Sequence, residues 1–272
     1  MTKQYKVALI IDNEPIYTPY VINKLFNELN NNLEICCIIF TEGNYRNIDN
    51  SNDIQERINL YGRFNNFILN ILYTYKDNEI LKNDTLNYYK ILKNRNIPYK
   101  ITNNINTDEI IQFIKTNNTD IIFSLTHHIL KKEILNTPNY ICINRHTGKL
   151  PEYAGLQPIL YTMLDQKDNN DIYITLTYHT MVERLDAGVI LAEKTYKINR
   201  NTTLYGAYGI QYHDVIMLFN ESVENYFNNN IKIQDIEKRK YYSFPSKNKC
   251  IEFRKNFRIC TFKEIFSNLG LQ

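Results

Sequence analysis

Residues 6–40, KVALIIDNEPIYTPYVINKLFNELNNNLEICCIIF, decide the fold of this chain. The segment begins with a continuous apolar run at 6–11 and ends with another at 33–40, and such runs are typical of strands buried on both faces of a parallel sheet. Between them, apolar residues recur four apart from Val21 onwards, which indicates a helix. A strand, a helix and a second strand predict a right-handed parallel unit, and therefore an α/β fold with ligands bound at the carboxyl ends of its strands.

The loop between the first strand and the first helix, residues 12–17, lies at this edge of the sheet. Its sequence is DNEPIY, and it lacks the glycines with which a loop cradles phosphate groups. The pattern Gly-x-Gly-x-x-Gly does not occur anywhere in the chain. The sequence therefore contains no fingerprint for a dinucleotide.

The alternation of strands and helices continues after a less regular region. Residues 43–83 are rich in Asn, Asp and Tyr, and their apolar run at 67–72 predicts one helix in an excursion from the sheet. Thr107 is the predicted N-cap of a later helix. Further elements are predicted at 85–94 (helix), 97–101 (strand), 107–115 (helix) and 120–125 (strand).

The functional signals concentrate in residues 140–192. A short apolar run, 141–143, predicts a buried strand that delivers Asn144 and His146 at its end. Alternate residues of an extended segment share a face, so these two side chains can point at one reacting atom. The predicted elements that follow are a loop with Gly148, Pro151 and Gly155, a helix at 156–164, a strand at 172–178, a tight segment at 182–188 and a strand at 189–192.

Asn144, His146 and Asp186 form a set of groups that suits acyl transfer from one nitrogen to another. The amide can donate to a developing oxyanion, the imidazole can manage a proton, and the carboxylate can hold that imidazole. On residue types alone, three such residues in a chain this polar can also be a coincidence. The residue types therefore define a candidate site rather than an activity.

The other four histidines have simpler explanations. His127 and His128 lie at the exit of a strand, but adjacent side chains diverge and no third ligand is spaced for tetrahedral zinc, so we predict a polar turn and no metal site. His179 is a rival for the catalytic role, although a satisfied structural histidine on a strand is the better interpretation. His213 lies on a helix predicted at 203–228, far from the motif.

Composition and charge exclude several classes of function. The chain has 272 residues, 43% of them hydrophobic, and a net charge of +3, which does not support a nucleic-acid partner. No stretch approaches the roughly 20 apolar residues of a membrane span, and the N-terminal residues lack the apolar region of a signal peptide. Five cysteines without metal-ligand spacing are typical of a reducing compartment, so we predict a cytoplasmic protein.

Several separated motifs, spread over about residues 95–200, resemble those of one enzyme family. They are Asn144-x-His146, Leu150-Pro151, Gly155-x-x-Pro158 and Met181-Val182-x-Arg184-x-Asp186-Ala187-Gly188-x-Ile190-Leu191-Ala192. In this order they resemble the catalytic half of the formyltransferases that use 10-formyltetrahydrofolate. Within that family they most resemble the sugar N-formyltransferases, which formylate the amine of a nucleotide-linked amino sugar. The tight segment at 182–188 is similar to the corresponding loop of the bacterial enzyme that formylates UDP-4-amino-4-deoxyarabinose.

The resemblance implies a fold and a set of site residues. The fold is a Rossmann-like, mostly parallel sheet with helices on both faces. The implied catalytic residues are Asn144, His146 and Asp186. The implied binding residues for the co-substrate N10-formyltetrahydrofolate are His128, Ile129 and Leu130, through main-chain groups, and the facing residues Val182, Glu183 and Leu185. Asn13 and Gln157 are assigned to the substrate site from their positions, and no metal is implied.

The chain is predicted to divide into a catalytic core at 1–200 and an appendage at 201–272, made of a helix and a short β-rich segment. Strands are predicted at 250–253 and 257–260. The appendage resembles the segment after the core of sugar N-formyltransferases, and it is shorter and less basic than the C-terminal domain of initiator-tRNA formyltransferases. Its many Tyr and Phe residues indicate structural packing or a dimer contact, and we predict a homodimer.

Two departures from the family pattern concern the substrate side of the cleft. Arg145 stands between Asn144 and His146, where a bulky basic residue could alter that side. Residues 152–155 are Glu-Tyr-Ala-Gly, whereas the family has a basic loop of the Lys-Tyr-Arg-Gly type. This reversal weakens the assignment of phosphate recognition to that loop.

The predicted function is that of a sugar N-formyltransferase in glycan or lipopolysaccharide biosynthesis, which moves a formyl group from N10-formyltetrahydrofolate to the primary amine of a nucleotide-linked amino-dideoxy sugar. The alternatives are another enzyme on the same scaffold (a glycinamide ribonucleotide or initiator-tRNA formyltransferase, or a formyltetrahydrofolate hydrolase) and a non-catalytic folate or nucleotide-sugar binding protein. In the predicted mechanism Asn144 stabilises the oxyanion. His146 either takes the proton of the attacking amine or joins the oxyanion site.

Overall fold

The computed structural model describes residues 3–14, 17–42, 58–60, 62, 88–261 and 264. The apolar run at 67–72, for which we predicted a helix, lies outside the described residues. Nine strands are found within the described ranges: β1 (Tyr5–Asp12), β2 (Leu33–Thr41), β3 (Tyr99–Thr102), β4 (Ile121–Leu125), β5 (Ile141–His146), β6 (Ala154–Gly155), β7 (Asp171–Thr180), β8 (Ile190–Asn199) and β9 (Tyr241–Tyr242).

Seven of these strands form one sheet in the order β3-β2-β1-β4-β5-β7-β8. The strands from β1 to β5 are parallel, with β1 at the centre between β2 and β4. Strands β7 and β8 continue the sheet in antiparallel fashion. The predicted α/β fold with a mostly parallel sheet is therefore confirmed, and the carboxyl ends of β1, β2, β4 and β5 meet at one edge.

Helices cover both faces of the sheet. The helices of the described residues are α1 (Thr18–Glu28), α2 (Tyr88–Asn94), α3 (Asp108–Thr116), α4 (Lys132–Leu135), α5 (Pro158–Asp165), α6 (Leu204–His213), α7 (Val215–Phe227) and α8 (Lys247–Asn256). One buried cluster joins α1, α2 and α7 to one face, and a second joins α3 and α4 to the other. A third cluster packs α5, α6 and α8 against β7 and β8. The predicted N-cap Thr107 accepts a hydrogen bond from Ile110 N at 3.4 Å.

The predicted C-terminal strands at 250–253 and 257–260 are wrong. Residues Lys247–Asn256 form α8, which begins at the N-cap Ser246. Cys250, Phe253 and Phe257 are buried, and their spacing of three and four is helical rather than alternating. The carbonyl groups of residues 258 and 259 accept hydrogen bonds from the first two N–H groups of α6, so this segment caps a helix.

The single helix predicted at 203–228 is two helices, α6 and α7, which meet at Asp214. The Asp214 carboxylate accepts from Tyr196 Oη and lies 2.8 Å from Lys194 Nζ, both on β8. These contacts tie the break to the sheet. Across the part of the chain that the structure describes, no helix combines the length and apolar character needed to span a membrane.

Candidate active site

Strand β5 carries two of the three predicted catalytic residues. It extends to His146, three residues further than predicted, so Asn144 and His146 lie on the strand and share one face. In the register of the sheet, Asn144 lies opposite Ser124 of β4 and opposite His179 of β7. The antiparallel β7 therefore brings a second imidazole beside the amide.

His146 is buried, with 6% of its surface exposed. Its Nε2 lies 2.7 Å from the carbonyl oxygen of Tyr153, and because a carbonyl can only accept, Nε2 carries the proton of this bond. The other ring nitrogen, Nδ1, faces Asp186 Oδ1 at 3.6 Å. The structure thus brings the imidazole and the carboxylate together across 40 residues of sequence.

Asp186 is placed between two imidazole rings. Its Oδ1 lies 3.6 Å from His146 Nδ1 and 3.7 Å from His179 Nε2, and its Oδ2 accepts from Gly155 N at 2.8 Å. Desolvation alone would raise the pKa of this carboxyl, but the two rings and the Gly155 N–H hold it below its usual value. The carboxylate is therefore charged at neutral pH.

His179 connects Asn144 to this carboxylate. Its Nδ1 lies 2.8 Å from the Thr180 carbonyl oxygen, to which it donates, and its Nε2 accepts from Asn144 Nδ2 at 3.2 Å. Burial lowers the pKa of His179 to about 4, so the ring is neutral and its tautomer is fixed by these two bonds. The predicted structural role is compatible with these bonds, but the direct contact with Asn144 was missed, because strand pairing is not visible in the sequence.

Residues of the appendage hold the loop of Asp186. Gln234 is buried, and its Nε2 donates to the carbonyl oxygens of Asp186 at 3.0 Å and Gly188 at 2.6 Å. Arg239 Nη2 donates to the Leu185 carbonyl at 2.7 Å. Asp186 itself has a left-handed backbone with φ of 51°, which few non-glycine residues adopt without support. Gln234 and Arg239 are thus positioning residues that the sequence analysis missed.

The same appendage closes the other loop of the site. Strand β9 pairs with β6, and Gly155 of β6 has φ of 98° and no room for a Cβ beside the Tyr242 backbone. Only glycine combines this backbone with so close an approach. Because Gly155 N also donates to Asp186, the pairing of β6 with β9 sets the position of the carboxylate.

The two predicted folate-binding segments lie next to each other. Lys132 Nζ, just after the first, lies 3.0 Å from Glu183 Oε1 of the second. The aliphatic side chains of Ile129, Val182 and Leu185 are all exposed, while Leu130 is buried. His128 Nε2 is a buried nitrogen without a hydrogen-bond partner within the described residues. Exposed aliphatic groups and an unsatisfied polar atom fit an apolar ring system with polar edges, as the predicted folate co-substrate requires.

The two predicted substrate residues have partners in the protein. Asn13 is buried, accepts from Tyr88 Oη and donates to Glu42 Oε1, each at 2.5 Å. Gln157 has a left-handed backbone with φ of 54°, and its side chain accepts from Tyr208 Oη at 3.1 Å. Asn13 therefore belongs to a buried network, whereas Gln157 begins helix α5 beside the loop of β6.

A further aspartate–histidine pair lies at the ends of β1 and β4. His127 Nδ1 bonds directly to Asp12 Oδ2, and Asp12 Oδ1 accepts from Thr41 Oγ1 at 2.8 Å and Thr126 Oγ1 at 2.6 Å. No cluster of metal-ligating side chains occurs in the described ranges. The histidine turn predicted as merely polar is thus anchored to the end of the first strand.

Residues 82–209 match the protein-family model described as formyl transferase. This range includes Asn144, His146, His179 and Asp186. Residues 82–209 thus carry a formyl transferase domain. The resemblance found in the motifs is therefore confirmed over this part of the chain.

Relatives of known name match part of the chain. A methionyl-tRNA formyltransferase of Caldicellulosiruptor saccharolyticus is 38% identical over 95 residues, which cover 35% of this chain and 29% of that enzyme. The chain thus spans less than a third of the length of the first relatives that it matches.

Solved structures share the fold over most of the chain. A 4-N formyltransferase from Francisella tularensis superimposes with a TM-score of 0.54 and 16% identity, covering 97% of this chain and 86% of that one. Glycinamide ribonucleotide transformylase 1 from Symbiobacterium toebii superimposes with a TM-score of 0.56 and 8% identity, covering 85% and 95%. At these identities the likeness concerns the fold.

Proposed function

We propose that this protein is a sugar N-formyltransferase, which moves a formyl group from N10-formyltetrahydrofolate to the primary amine of a nucleotide-linked amino-dideoxy sugar. The observation that carries the proposal is the convergence of Asn144, His146 and Asp186, with residues 182–185 immediately before Asp186. The homodimer and the cytoplasmic location remain predictions.

In the proposed reaction, the unprotonated amine attacks the formyl carbon, the new C–N bond forms and the bond to the donor nitrogen breaks. When bound, N10-formyltetrahydrofolate supplies the formyl group. Asn144 uses one Nδ2–H in its bond to His179, and the same amide has a second N–H to offer the formyl oxygen. Such a donor is typically worth about 10²- to 10³-fold in rate.

His146 manages the proton that the amine loses. Its Nε2–H remains bonded to the Tyr153 carbonyl, so Nδ1 is the position that can take up a proton. A proton there faces the Asp186 carboxylate, which stabilises the cation. The proton then passes to the departing donor nitrogen, which restores the neutral ring.

The N-terminus of helix α1 supports an acceptor substrate other than glycinamide ribonucleotide. A helix N-terminus is a ready site for a phosphate group, but here the carboxylate of Glu14 accepts from Tyr17 N at 2.5 Å and Thr18 N at 2.7 Å. A phosphate at this place would have to displace an anion that belongs to the protein. This agrees with the loop DNEPIY, which has no glycine.

The second candidate is transfer to an aminoacyl-tRNA, which the names of the relatives favour. Purified full-length protein would be incubated with N10-formyltetrahydrofolate and, separately, UDP-, dTDP- and GDP-linked amino sugars, glycinamide ribonucleotide and methionyl-tRNA. We expect a formamide product, detected by mass spectrometry, from one of the amino sugars and none with His146→Ala. Product from the tRNA or the ribonucleotide alone would replace the proposal, and no product from any amine would refute it.

A further inference from the structure

Arg145 is a charged residue that the proposed reaction does not use. It lies between Asn144 and His146 on β5, and because side chains alternate along a strand it points to the opposite face. That face packs against α1 and α7, and Ile141 and Ile143 of the same strand belong to its buried cluster. A guanidinium thus stands at the end of an otherwise apolar row, one residue from each catalytic group.

Two nitrogens of the Arg145 guanidinium have no acceptor among the described residues. Its Nε and Nη2 atoms are buried and have no hydrogen-bond partner among the residues that the structure describes. Buried polar groups are nearly always hydrogen-bonded, and a buried cation without an acceptor is costly. Arg145 therefore carries two N–H donors that no described residue accepts from, and an anionic ligand is the kind of group that would accept from both.

Aromatic rings hold the guanidinium in place. Its carbon Cζ lies 4.0 Å from the centre of the Tyr212 ring, and that ring stacks on Tyr17 at 4.2 Å with an angle of 9° between the planes. Tyr17 follows the loop after β1 and donates to the Tyr205 carbonyl at 3.0 Å. The stack joins α1, α6 and β5, so the cation is oriented by three elements.

A second cationic group lies at the same edge. Strand β4 runs beside β5 with Ser124 opposite Asn144, and His127 follows β4 two residues beyond its end. Desolvation opposes the charge of His127 and so does the Arg145 guanidinium, but the Asp12 carboxylate raises the pKa of His127 above its usual value. The Asp12 carboxylate thus balances the charge of His127, and Arg145 is the cation at this edge to which an anionic ligand is assigned.

We propose that Arg145 binds a phosphoryl oxyanion of the acceptor substrate next to the formyl-transfer centre. The planar guanidinium offers parallel N–H groups that match two oxygens of a phosphate. The N-terminus of α1, the usual place for such a group, already holds Glu14. The inference rests on the proposed function, since it names the part of a nucleotide-linked acceptor that this chain recognises.

The test uses the full chain and three variants. Arg145→Met removes the charge, Arg145→Lys keeps the charge without the planar fork, and Arg200→Met removes an exposed arginine at the turn after β8. Calorimetric titrations would use inorganic phosphate, inorganic pyrophosphate, UDP and uridine. Phosphate binding alone would indicate a terminal monoester, whereas preference for pyrophosphate and UDP would indicate a diphosphate link. Thermal unfolding would verify that each variant is folded.

We expect pyrophosphate or phosphate to bind the wild type, with at least about a tenfold weaker dissociation constant in Arg145→Met, an intermediate value in Arg145→Lys and no change in Arg200→Met. In turnover, KM for the acceptor should rise by a similar factor while KM for the folate stays the same. Equal binding by folded Arg145→Met and wild type, or no binding of any phosphate by wild type, would overturn the anion site.

Failure of the proposed function would give a different result. If no amine were formylated but pyrophosphate still bound in an Arg145-dependent way, the anion site would stand and the proposed reaction would fall. If an amino sugar were formylated with the same KM by wild type and Arg145→Met, only the anion site would fall. If Arg145→Met did not fold, two other measurements would decide whether the anion site exists. They are phosphate binding by Arg145→Lys and competition between pyrophosphate and the acceptor in the wild type.

Discussion

The two aspartate–histidine pairs at the carboxyl edge of the sheet differ in how their carboxylates are held. Asp12 bonds directly to His127 and to two threonine hydroxyls, and 55% of the His127 side chain is exposed. Asp186 lies 3.6 and 3.7 Å from two imidazoles that are almost entirely buried. The direct bond to Asp12 holds the proton of His127 in one place. Asp186 makes no such direct bond to either of its imidazoles, so Nδ1 of His146 can still take up a proton.

The largest expected difference between the pairs is in catalysis. Asp186→Asn should lower kcat by at least about 10²-fold, because a neutral amide cannot stabilise a protonated His146. Asp12→Asn should lower kcat by less than about tenfold, because Asp12 anchors the turn after β4 and takes no part in the proposed proton transfer. Steady-state kinetics of both folded variants would measure this, and equal losses would abolish the distinction between the pairs.

The pairs should also respond in opposite ways to pH. His179 has a pKa of about 4 in the folded protein, below the unfolded value, so its stabilising contribution is present above about pH 6.5 and is lost as the pH falls towards 4. His127 has a raised pKa, so its contribution is present below about pH 6.5 and is lost as the pH rises.

Urea unfolding at several pH values would test these signs. His179→Gln should remove up to about 3 kcal/mol of acid destabilisation between pH 6.5 and 4. His127→Gln should instead flatten the decline of stability above pH 6.5. An unchanged acid limb in His179→Gln would show that this ring is not buried in the neutral form.

The bond from His179 to Asn144 predicts a smaller catalytic effect. His179→Gln should lower kcat by about tenfold, because the amide of Asn144 loses a fixed partner and part of its preorganisation. KM for the folate should stay the same, and the matched variant His127→Gln should leave kcat within about threefold of wild type. A rise in KM for the folate with constant kcat would assign His179 to binding instead.

The smallest effect should come from the support of the Asp186 loop. Gln234→Met removes the donor shared by the Asp186 and Gly188 carbonyls and should cost about 1 kcal/mol of unfolding free energy. A few-fold loss of kcat should accompany it, since the carboxylate is less well held. Gln112→Met, on the exposed side of α3, is the control. A Gln234→Met variant with unaltered stability and kcat would show that the Asp186 loop keeps its position without Gln234.

Much of the fold was predictable because it follows local patterns. The apolar runs that became β1 and β2, and the helical spacing between them, are properties of neighbouring residues, and the burial of these runs made the parallel sheet the expected outcome. The C-terminal segment was mispredicted because Cys250, Phe253 and Phe257 are compatible with short strands when the segment is viewed in small pieces. The N-cap Ser246 is a local signal that would have indicated the helix.

The sequence by itself determined the resemblance to formyltransferases, the fold class and the identity of Asn144, His146 and Asp186 as candidates, since motif order and alternation along a strand are one-dimensional properties. Only the tertiary structure decided that His179 bonds to Asn144, that Gln234 supports Asp186 and that two nitrogens of Arg145 have no acceptor among the described residues. Those facts depend on which strands pair and on how a distant segment packs against the site. Hydrogen bonds between residues far apart in the chain leave no periodic trace in the sequence.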